Sequence, residues 1–291
     1  TCNYRNTLRG SSTQKRYFHF SVSLCTKLTS KIDVSDLVLH FPAKLILMAT
    51  FVKNCSMAKI YLIPVTLGES SVEKVIPSDI KTIVSGIKLF IVKNIRSARR
   101  FWKKINPEIN IDELDFKELN EHTPARGIEQ FLEPLAKGAD IGIISEAGCP
   151  GVADPGADVV KIAHQKGFTV VPLVGPSSIL LSLMASGMNG QNFAFIGYLP
   201  VKPVDRNKAI RELEKRSFSE RQTQIFIETP YRNNKLIDDL LANCQSQTRL
   251  CIAADITLDS EMIKTATIAD WKKTKPDINK RPAIFLLQKD F

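Results

Sequence analysis

Residues 145–156 combine residue types that could hold a polar cofactor. They read S-E-A-G-C-P-G-V-A-D-P-G, follow the apolar run at residues 141–144 and precede a helical pattern at residues 157–166. In an open α/β sheet, such a loop lies at the carboxyl end of a strand, where ligands bind and where glycine lets backbone N–H groups approach them. Residues 174–178 repeat the arrangement after a strand predicted at residues 169–173. The two loops predict a site for a nucleotide-sized ligand.

Strand and helix patterns alternate along the chain from residue 57 onwards. Apolar runs predict strands at residues 60–65, 89–92 and 141–144, and amphipathic patterns typical of helices separate them. This alternation predicts a largely parallel sheet covered by helices. Beyond the second loop the pattern becomes richer in strands, so we expect a domain boundary near residues 173–191.

The composition is that of an ordinary globular protein, since 44% of the 291 residues are hydrophobic and 24% are charged. The formal net charge is +10, and much of the excess lies in residues 1–56, where Asp33 and Asp36 are the only acidic residues. That segment begins with Thr1, is rich in Ser, Thr, Lys and Arg and lacks a clear period. We expect it to be a poorly structured extension, either upstream sequence before a natural start at Met57 or an organelle-type transit segment.

Several classes of protein are disfavoured by the sequence. The apolar run at residues 45–52 is far shorter than the ~20 residues that span a bilayer. The six cysteines contain no C-x-x-C pair and the four histidines are scattered, so neither a zinc site nor a disulfide framework is predicted. No G-x-G-x-x-G motif opens a helix after a strand, which argues against a nicotinamide-dependent enzyme. We expect a reducing, cytoplasmic location.

Four ordered motifs resemble those of the tetrapyrrole methylase superfamily, whose members use S-adenosyl-L-methionine (SAM). Residues 145–156 match S-D-A-G-T-P-x-x-S-D-P-G, and residues 171–178 match V-P-x-P-G-P-S-A. Residues 195–200 correspond to F-x-G-F-L-P, and residues 227–232 correspond to Y-E-S-P-H-R. The resemblance covers about residues 59–288 and is strongest with the branch that methylates the 2′-hydroxyl of a cytidine ribose in small-subunit (16S) ribosomal RNA.

Two segments depart from the motifs of that branch. Where the branch has T-P-I-G-N-L-x-D after the first strand, this chain has P-V-T-L-G-E-S at residues 64–70. Its E-D-T-R segment is replaced by residues 91–99. Methyl transfer remains the predicted reaction, while the acceptor is left open. The alternatives are methylation of a tetrapyrrole or other small molecule, and an RNA- or ribosome-binding protein without catalysis.

The resemblance implies two α/β domains of the tetrapyrrole methylase type, at residues 57–173 and 174–291, with SAM in the cleft between them. It also implies a homodimer that acts on ribosomal RNA or the small ribosomal subunit. No metal is required, because the sulfonium methyl is already activated and the protein has to align the acceptor. The residues assigned to the cofactor by the resemblance are Pro64, Leu67, Gly68, Ala147, Gly148, Cys149, Pro150, Val152, Ser177, Ser178, Ala254 and Pro282.

Glu228 and Arg232 are the predicted catalytic residues. A ribose hydroxyl is a weak nucleophile near neutral pH, and Glu228, at the end of a predicted strand, could accept its proton. Arg232 could orient that carboxylate or bind a phosphate. The same spacing fits an Arg–Glu pair that fastens a strand to its helix, and the sequence leaves both interpretations open.

A helix predicted at residues 97–105 has a basic face that could bind RNA phosphates. Its apolar residues recur with the same helical spacing and would pack on the sheet. Phosphate binding by such a face depends strongly on salt, and a merely solvated surface fits the pattern as well. The predicted RNA-binding residues are Arg96, Arg99, Arg100 and Lys103, the apolar stripe is Ala98, Phe101, Trp102 and Ile105, and Lys202, Arg206, Lys208 and Arg211 are further cations near the predicted cleft.

Overall fold

The computed structural model describes residues 58–119 and 123–290. The extension predicted at residues 1–56 lies outside the described residues. Within them, two sheets of five strands each are covered by helices. No helix in these ranges has the length and apolar composition needed to cross a membrane.

The first sheet is parallel throughout. Its strands are β1 (Lys59–Ile63), β2 (Leu89–Val92), β3 (Asp115–Glu118), β4 (Ile141–Ile144) and β5 (Thr169–Pro172). Their order is β3-β2-β4-β1-β5. The chain leaves β1 towards β2 but leaves β4 towards β5 on the opposite side. The loops after β1 and β4 therefore lead to helices on opposite faces of the sheet. Open α/β sheets bind ligands in the crevice between two such strands.

The second sheet is mixed. Its strands are β6 (Phe193–Tyr198), β7 (Thr223–Ile227), β8 (Arg249–Ala254), β9 (Met262–Thr267) and β10 (Ala283–Gln288). The order is β6-β7-β10-β8-β9, with β6 and β7 parallel and the other neighbours antiparallel. The predicted fold class, two α/β domains, is confirmed, whereas the exact division at residue 173 stays a prediction.

Helices cover both faces of each sheet. In chain order they are α1 (Val72–Val75), α2 (Asp79–Ser85), α3 (Ile95–Ile105), α4 (Ala125–Phe131), α5 (Glu133–Ala136), α6 (Gly156–Gln165), α7 (Ser178–Ser186), α8 (Pro203–Ser219), α9 (Asn233–Asn243) and α10 (Ile268–Lys273). The first sheet packs against α1 to α3 on one face and α4 to α6 on the other. The second sheet packs against α8 to α10 on one face and α7 on the other.

Helix α3 is positioned by its predicted apolar stripe. Ala98, Phe101, Trp102 and Ile105 are all buried. The Trp102 ring meets Phe90 of β2 edge-on, with ring centroids 4.9 Å apart. The helix begins two residues earlier than predicted because the side chain of Asn94 accepts a hydrogen bond from the Ser97 backbone N–H at 3.0 Å and caps it. The opposite, basic face is thereby turned to solvent.

Several elements differ from the sequence-based expectations. The sequence pattern at residues 127–136 predicts one continuous helix, which the structure divides into α4 and α5, because Pro134 lacks the N–H that would continue the helical hydrogen bonds. Strands β3 and β9 were not predicted. Each lies at the edge of its sheet and carries polar residues on its partly exposed faces, so neither shows the apolar run typical of a buried strand.

Candidate functional site

Three loops meet at the carboxyl end of the first sheet. They are residues 64–68 after β1, residues 145–155 after β4 and residues 173–177 before α7. Val65 and Gly148 exchange two backbone hydrogen bonds, of 3.0 Å to the Gly148 carbonyl and 3.2 Å to the Val65 carbonyl. The thiol of Cys149 donates to the Pro176 carbonyl at 3.4 Å. The loops therefore form one continuous wall.

Two glycines make this close approach possible. A Cβ on Gly175 would lie 2.2 Å from the Cβ of Pro64, so no side chain fits between these loops. Gly148 has a φ of +68°, in the left-handed region that glycine adopts without strain. The Gly-rich character of the motifs thus has a structural cause.

Replacing Gly175 with Ala is expected to lower the free energy of unfolding by about 1–3 kcal/mol, because the rigid Pro64 ring cannot yield without moving its loop. Binding of any ligand that needs the wall intact should weaken as well. Urea unfolding and ligand calorimetry measure the two effects. Gly86→Ala is the matched control, since Gly86 has no heavy atom within 4 Å of an added Cβ. Equal stability of the two variants would contradict the close contact.

A cavity of about 150 Å³ lies between the wall and the second sheet. Leu67, from the loop after β1, packs against the core of the second sheet and so connects the three-loop wall to that sheet. The cavity is lined by four predicted cofactor residues, Leu67, Ala147, Ser178 and Pro282, and by seven that were not predicted, Ile227, Ala253, Asp255, Ile256, Leu258, Ala283 and Ile284.

The other predicted cofactor residues lie outside this lining. Gly68 lines a larger neighbouring cavity. Pro64, Gly148 and Cys149 join the loops to one another, and Ala254 is fully buried in β8 next to Asp255. Neither of these two cavities is lined by Pro64, Gly148, Cys149, Pro150, Val152, Ser177 or Ala254. Their direct contact with a cofactor stays a prediction.

The larger cavity, of about 680 Å³, is a groove between the loop after β1 and α3, with four basic and three acidic residues in its lining. Leu67 lines both cavities, so the two are adjacent. Three of the four predicted RNA-binding residues, Arg99, Arg100 and Lys103, line the groove. Arg96 does not line the groove, whereas Lys104, which was not predicted to bind RNA, does line it. The acidic residues of the groove are Glu69, Asp112 and Glu146.

Ion pairs hold the cations of the groove in place. Lys104 pairs with Glu69, and its hydrogen bond holds the pKa of that carboxyl below its usual value. Arg99 donates to Asp112 at 2.6 Å, and Lys103 donates to the Ile109 carbonyl at 2.9 Å. These side chains are exposed, and exposed ion pairs are weak. A polyanion can therefore compete for the same cations.

Glu228 and Arg232 form a close ion pair at the end of β7. Glu228 is 4% exposed, and its Oε1 accepts hydrogen bonds from Arg232 Nη2 at 2.6 Å, Arg232 Nε at 3.0 Å and the Thr229 backbone N–H at 2.6 Å. Its Oε2 is buried without a hydrogen-bond partner among the described residues. The pair lines neither of the two cavities. One carboxylate oxygen thus serves the pair, and the other is buried without a partner in the described part of the chain.

Arg206, one of the further cations named from the sequence, is buried. Arg206 is not available to RNA, because its side chain is buried and pairs with Asp239 while also donating to the Val201 carbonyl at 2.7 Å. The expectation that Arg206 adds to a basic surface is therefore wrong.

Burial raises the pKa of the Cys149 thiol, which keeps it in the neutral form.

The chain is similar to several proteins named ribosomal RNA small subunit methyltransferase I. It is 29% identical to the one from Vibrio cholerae over 65% of this chain and 62% of that protein. It is 30% identical to the one from Escherichia coli O157:H7 over 58% of each, and 33% identical to the one from Halalkalibacterium halodurans over 42% of this chain and 41% of that protein. The matched part of the chain thus covers less than two thirds of the length of these relatives.

The methyltransferase CobJ is similar in fold. Its crystal structure gives a TM-score of 0.53 at 15% sequence identity, over 80% of this chain and 93% of CobJ. No protein-family model matches the sequence. The relatives thus confirm the resemblance to small-subunit ribosomal RNA methyltransferases, and CobJ shares the fold.

Proposed function

We propose that this chain transfers a methyl group from SAM to a ribose 2′-hydroxyl of small-subunit ribosomal RNA. The observation that carries the proposal is the adjacency of two cavities that share Leu67, one small and walled by both sheets and the other lined with Arg and Lys. A donor bound in the first would lie next to an acceptor bound in the second. The similarity to proteins named ribosomal RNA small subunit methyltransferase I supports the same reaction.

The residues of the three-loop wall fit SAM as the methyl donor. When bound, SAM supplies an activated methyl group. The chain's own residues would hold it with apolar side chains such as Leu67 and with small residues such as Ala147 and Ser178. The close packing that Gly175 and Gly148 permit leaves the wall compact. A rigid wall of this kind aligns reactants and excludes water, which is the main requirement for an in-line displacement.

The groove fits an anionic acceptor such as RNA better than an uncharged small molecule. Arg99, Arg100, Lys103 and Lys104 all line it, and they would lie along a phosphate backbone. An uncharged small molecule would gain nothing from these cations. The groove is therefore the feature that favours RNA over the small-molecule alternative.

Glu228 is the residue that we propose accepts the proton of the ribose hydroxyl. Its Oε2 is a buried carboxylate oxygen without a partner in the described part of the chain. Such an atom is a strong acceptor, because leaving it without a hydrogen bond is costly. Arg232 would act as a positioning residue that fixes the other oxygen.

A homodimer in the cytoplasm completes the proposal. Leu180 and Met184 occupy one face of α7 at a spacing of four residues, and both are exposed. Val201, just before α8, and Val204, in its first turn, are exposed as well. Apolar residues of this kind are typical of surfaces that contact another chain. Ribosomal RNA as substrate accords with a cytoplasmic location.

A labelled-methyl assay tests the reaction. With labelled SAM, we expect label in small-subunit ribosomal RNA, either free or within the subunit, and none in a panel of tetrapyrroles. Digestion to nucleosides should place the label on a ribose. Label in a tetrapyrrole instead would favour the small-molecule alternative, and SAM binding without transfer to any acceptor would favour a protein without catalysis.

A further inference from the structure

Asp255 is the one ionisable residue among those that line the 150 Å³ cavity. It follows β8, and it is only 8% exposed. Apart from Ser178, the other side chains of the lining are aliphatic or proline. A buried carboxylate in such surroundings is costly unless it is paired and hydrogen-bonded. Its place in the cavity therefore calls for a specific partner.

One oxygen of this carboxylate is held by the protein. Oδ2 accepts a hydrogen bond from Arg281 Nε at 2.7 Å and another from Ser260 Oγ at 2.9 Å. Arg281 also donates through Nη2 to the Ser260 carbonyl at 2.6 Å, which closes the network. Oδ1 accepts no hydrogen bond from residues 58–119 or 123–290. It is the acceptor that remains for a ligand.

The backbone of this loop is held in an uncommon conformation. Asp255 has a φ of +52° and Thr257 a φ of +75°, both in the left-handed region. Strain of this kind persists where surrounding contacts fix it, often at functional sites. In this conformation Ile256 and Leu258 line the cavity, and a Cβ on Gly68 would lie 3.1 Å from Leu258 Cδ1. The loop thus closes the cavity against the first sheet.

The size of the cavity indicates which part of a ligand it holds. Sites for whole drug-sized ligands usually measure about 300–1,000 Å³, so a cavity of about 150 Å³ holds one moiety. Aliphatic walls suit a flat heterocyclic base, and a carboxylate oxygen suits an N–H donor at the edge of that base. The methionine part of the donor is charged and fits such walls poorly.

We propose that this cavity binds the adenine base of the methyl donor and that Asp255 Oδ1 accepts a hydrogen bond from its exocyclic amine. Asp255 is then the residue that makes the site specific for adenine. The inference rests on the proposed use of SAM and adds to it a recognition element on the second sheet.

The test compares two ligands on the unaltered chain by calorimetry, S-adenosylhomocysteine and the same compound without the 6-amino group. A hydrogen bond to a charged acceptor in a buried site predicts at least about tenfold tighter binding of the amino compound. Equal affinities would overturn the role of Asp255 while leaving the proposed reaction intact. Failure of both compounds to bind would overturn the use of SAM, and the inference with it.

Variants locate the effect at one side chain. Asp255→Asn suits the left-handed backbone and removes the charge, so the preference for the amino compound should fall several-fold. Asp255→Gly suits the same backbone, removes the acceptor and should abolish the preference. Asp259→Asn, in the same loop but fully exposed, is the matched control and should keep it. A preference that survives in Asp255→Gly, or one that depends instead on the ribose 2′-hydroxyl in a deoxy analogue, would overturn the proposal.

Discussion

Replacing Glu228 with Gln is expected to lower the rate of methyl transfer by about a hundredfold or more at saturating methyl donor, which is the usual contribution of a general base. Gln keeps the size of the side chain and can still accept a hydrogen bond from Arg232, but it cannot take up a proton. Affinity for S-adenosylhomocysteine should be unchanged, because Glu228 does not line the cavity proposed for the donor. Single-turnover transfer and calorimetry measure the two quantities.

Glu214→Gln is the matched control for this variant. Glu214 is also a buried carboxylate of the second domain, and it accepts a hydrogen bond from the Gln245 backbone N–H at 2.7 Å. It lines neither of the two cavities. Both variants should lose some stability, but only Glu228→Gln should lose turnover. Unchanged turnover in Glu228→Gln would assign the Glu228–Arg232 pair to fastening the end of β7 and would remove the catalytic role.

The double variant Arg99→Glu/Arg100→Glu is expected to weaken binding of small-subunit ribosomal RNA by about a hundredfold at moderate salt, because two cationic contacts are lost and two repulsive ones replace them. The slope of log affinity against log salt concentration should decrease by about 2. Both side chains are exposed and line the groove, so the fold should be kept. Filter binding over a series of salt concentrations measures the affinity and its slope.

Lys272→Glu/Lys273→Glu on α10 is the control for net charge, since it makes the same change in charge at two exposed residues of another helix. If both double variants lose affinity equally, the effect is one of overall charge and the groove has no particular role. If the groove variant binds RNA as tightly as the unaltered chain, the basic face of α3 is a solvated surface. A loss confined to the groove variant supports RNA binding there.

Local patterns were sufficient to predict much of the fold. The predicted strands β2 and β4 have the observed bounds, because a buried parallel strand appears in sequence as an uninterrupted apolar run. The apolar stripe of α3 was likewise correct, since helical spacing determines which residues share a face. The edge strands β3 and β9 could not be predicted in this way, because their polar residues interrupt the apolar run and only the pairing with β2 and β8 defines them as strands.

The candidate site was likewise predicted only in part. The motifs at residues 145–156 and 171–178 predicted loops, because Gly and Pro favour the backbone conformations of turns. The structure brings these loops together. No local pattern marked Asp255, whose partner Arg281 lies 26 residues away. Nor did any pattern show that Arg206 is buried against Asp239, 33 residues away, while Arg99 stays at the surface. Burial and pairing across the chain separated side chains that look equivalent in sequence.

The sequence by itself determined much of the order of strands, loops and helices and the resemblance to a family of methyltransferases, since both depend on residues close together in the chain. Only the tertiary structure decided which side chains share a cavity. Leu67, Ser178 and Pro282 are far apart in sequence and come together because the loops of the first sheet face the strand ends of the second. Such an arrangement results from packing between distant segments, which no local pattern of residues encodes.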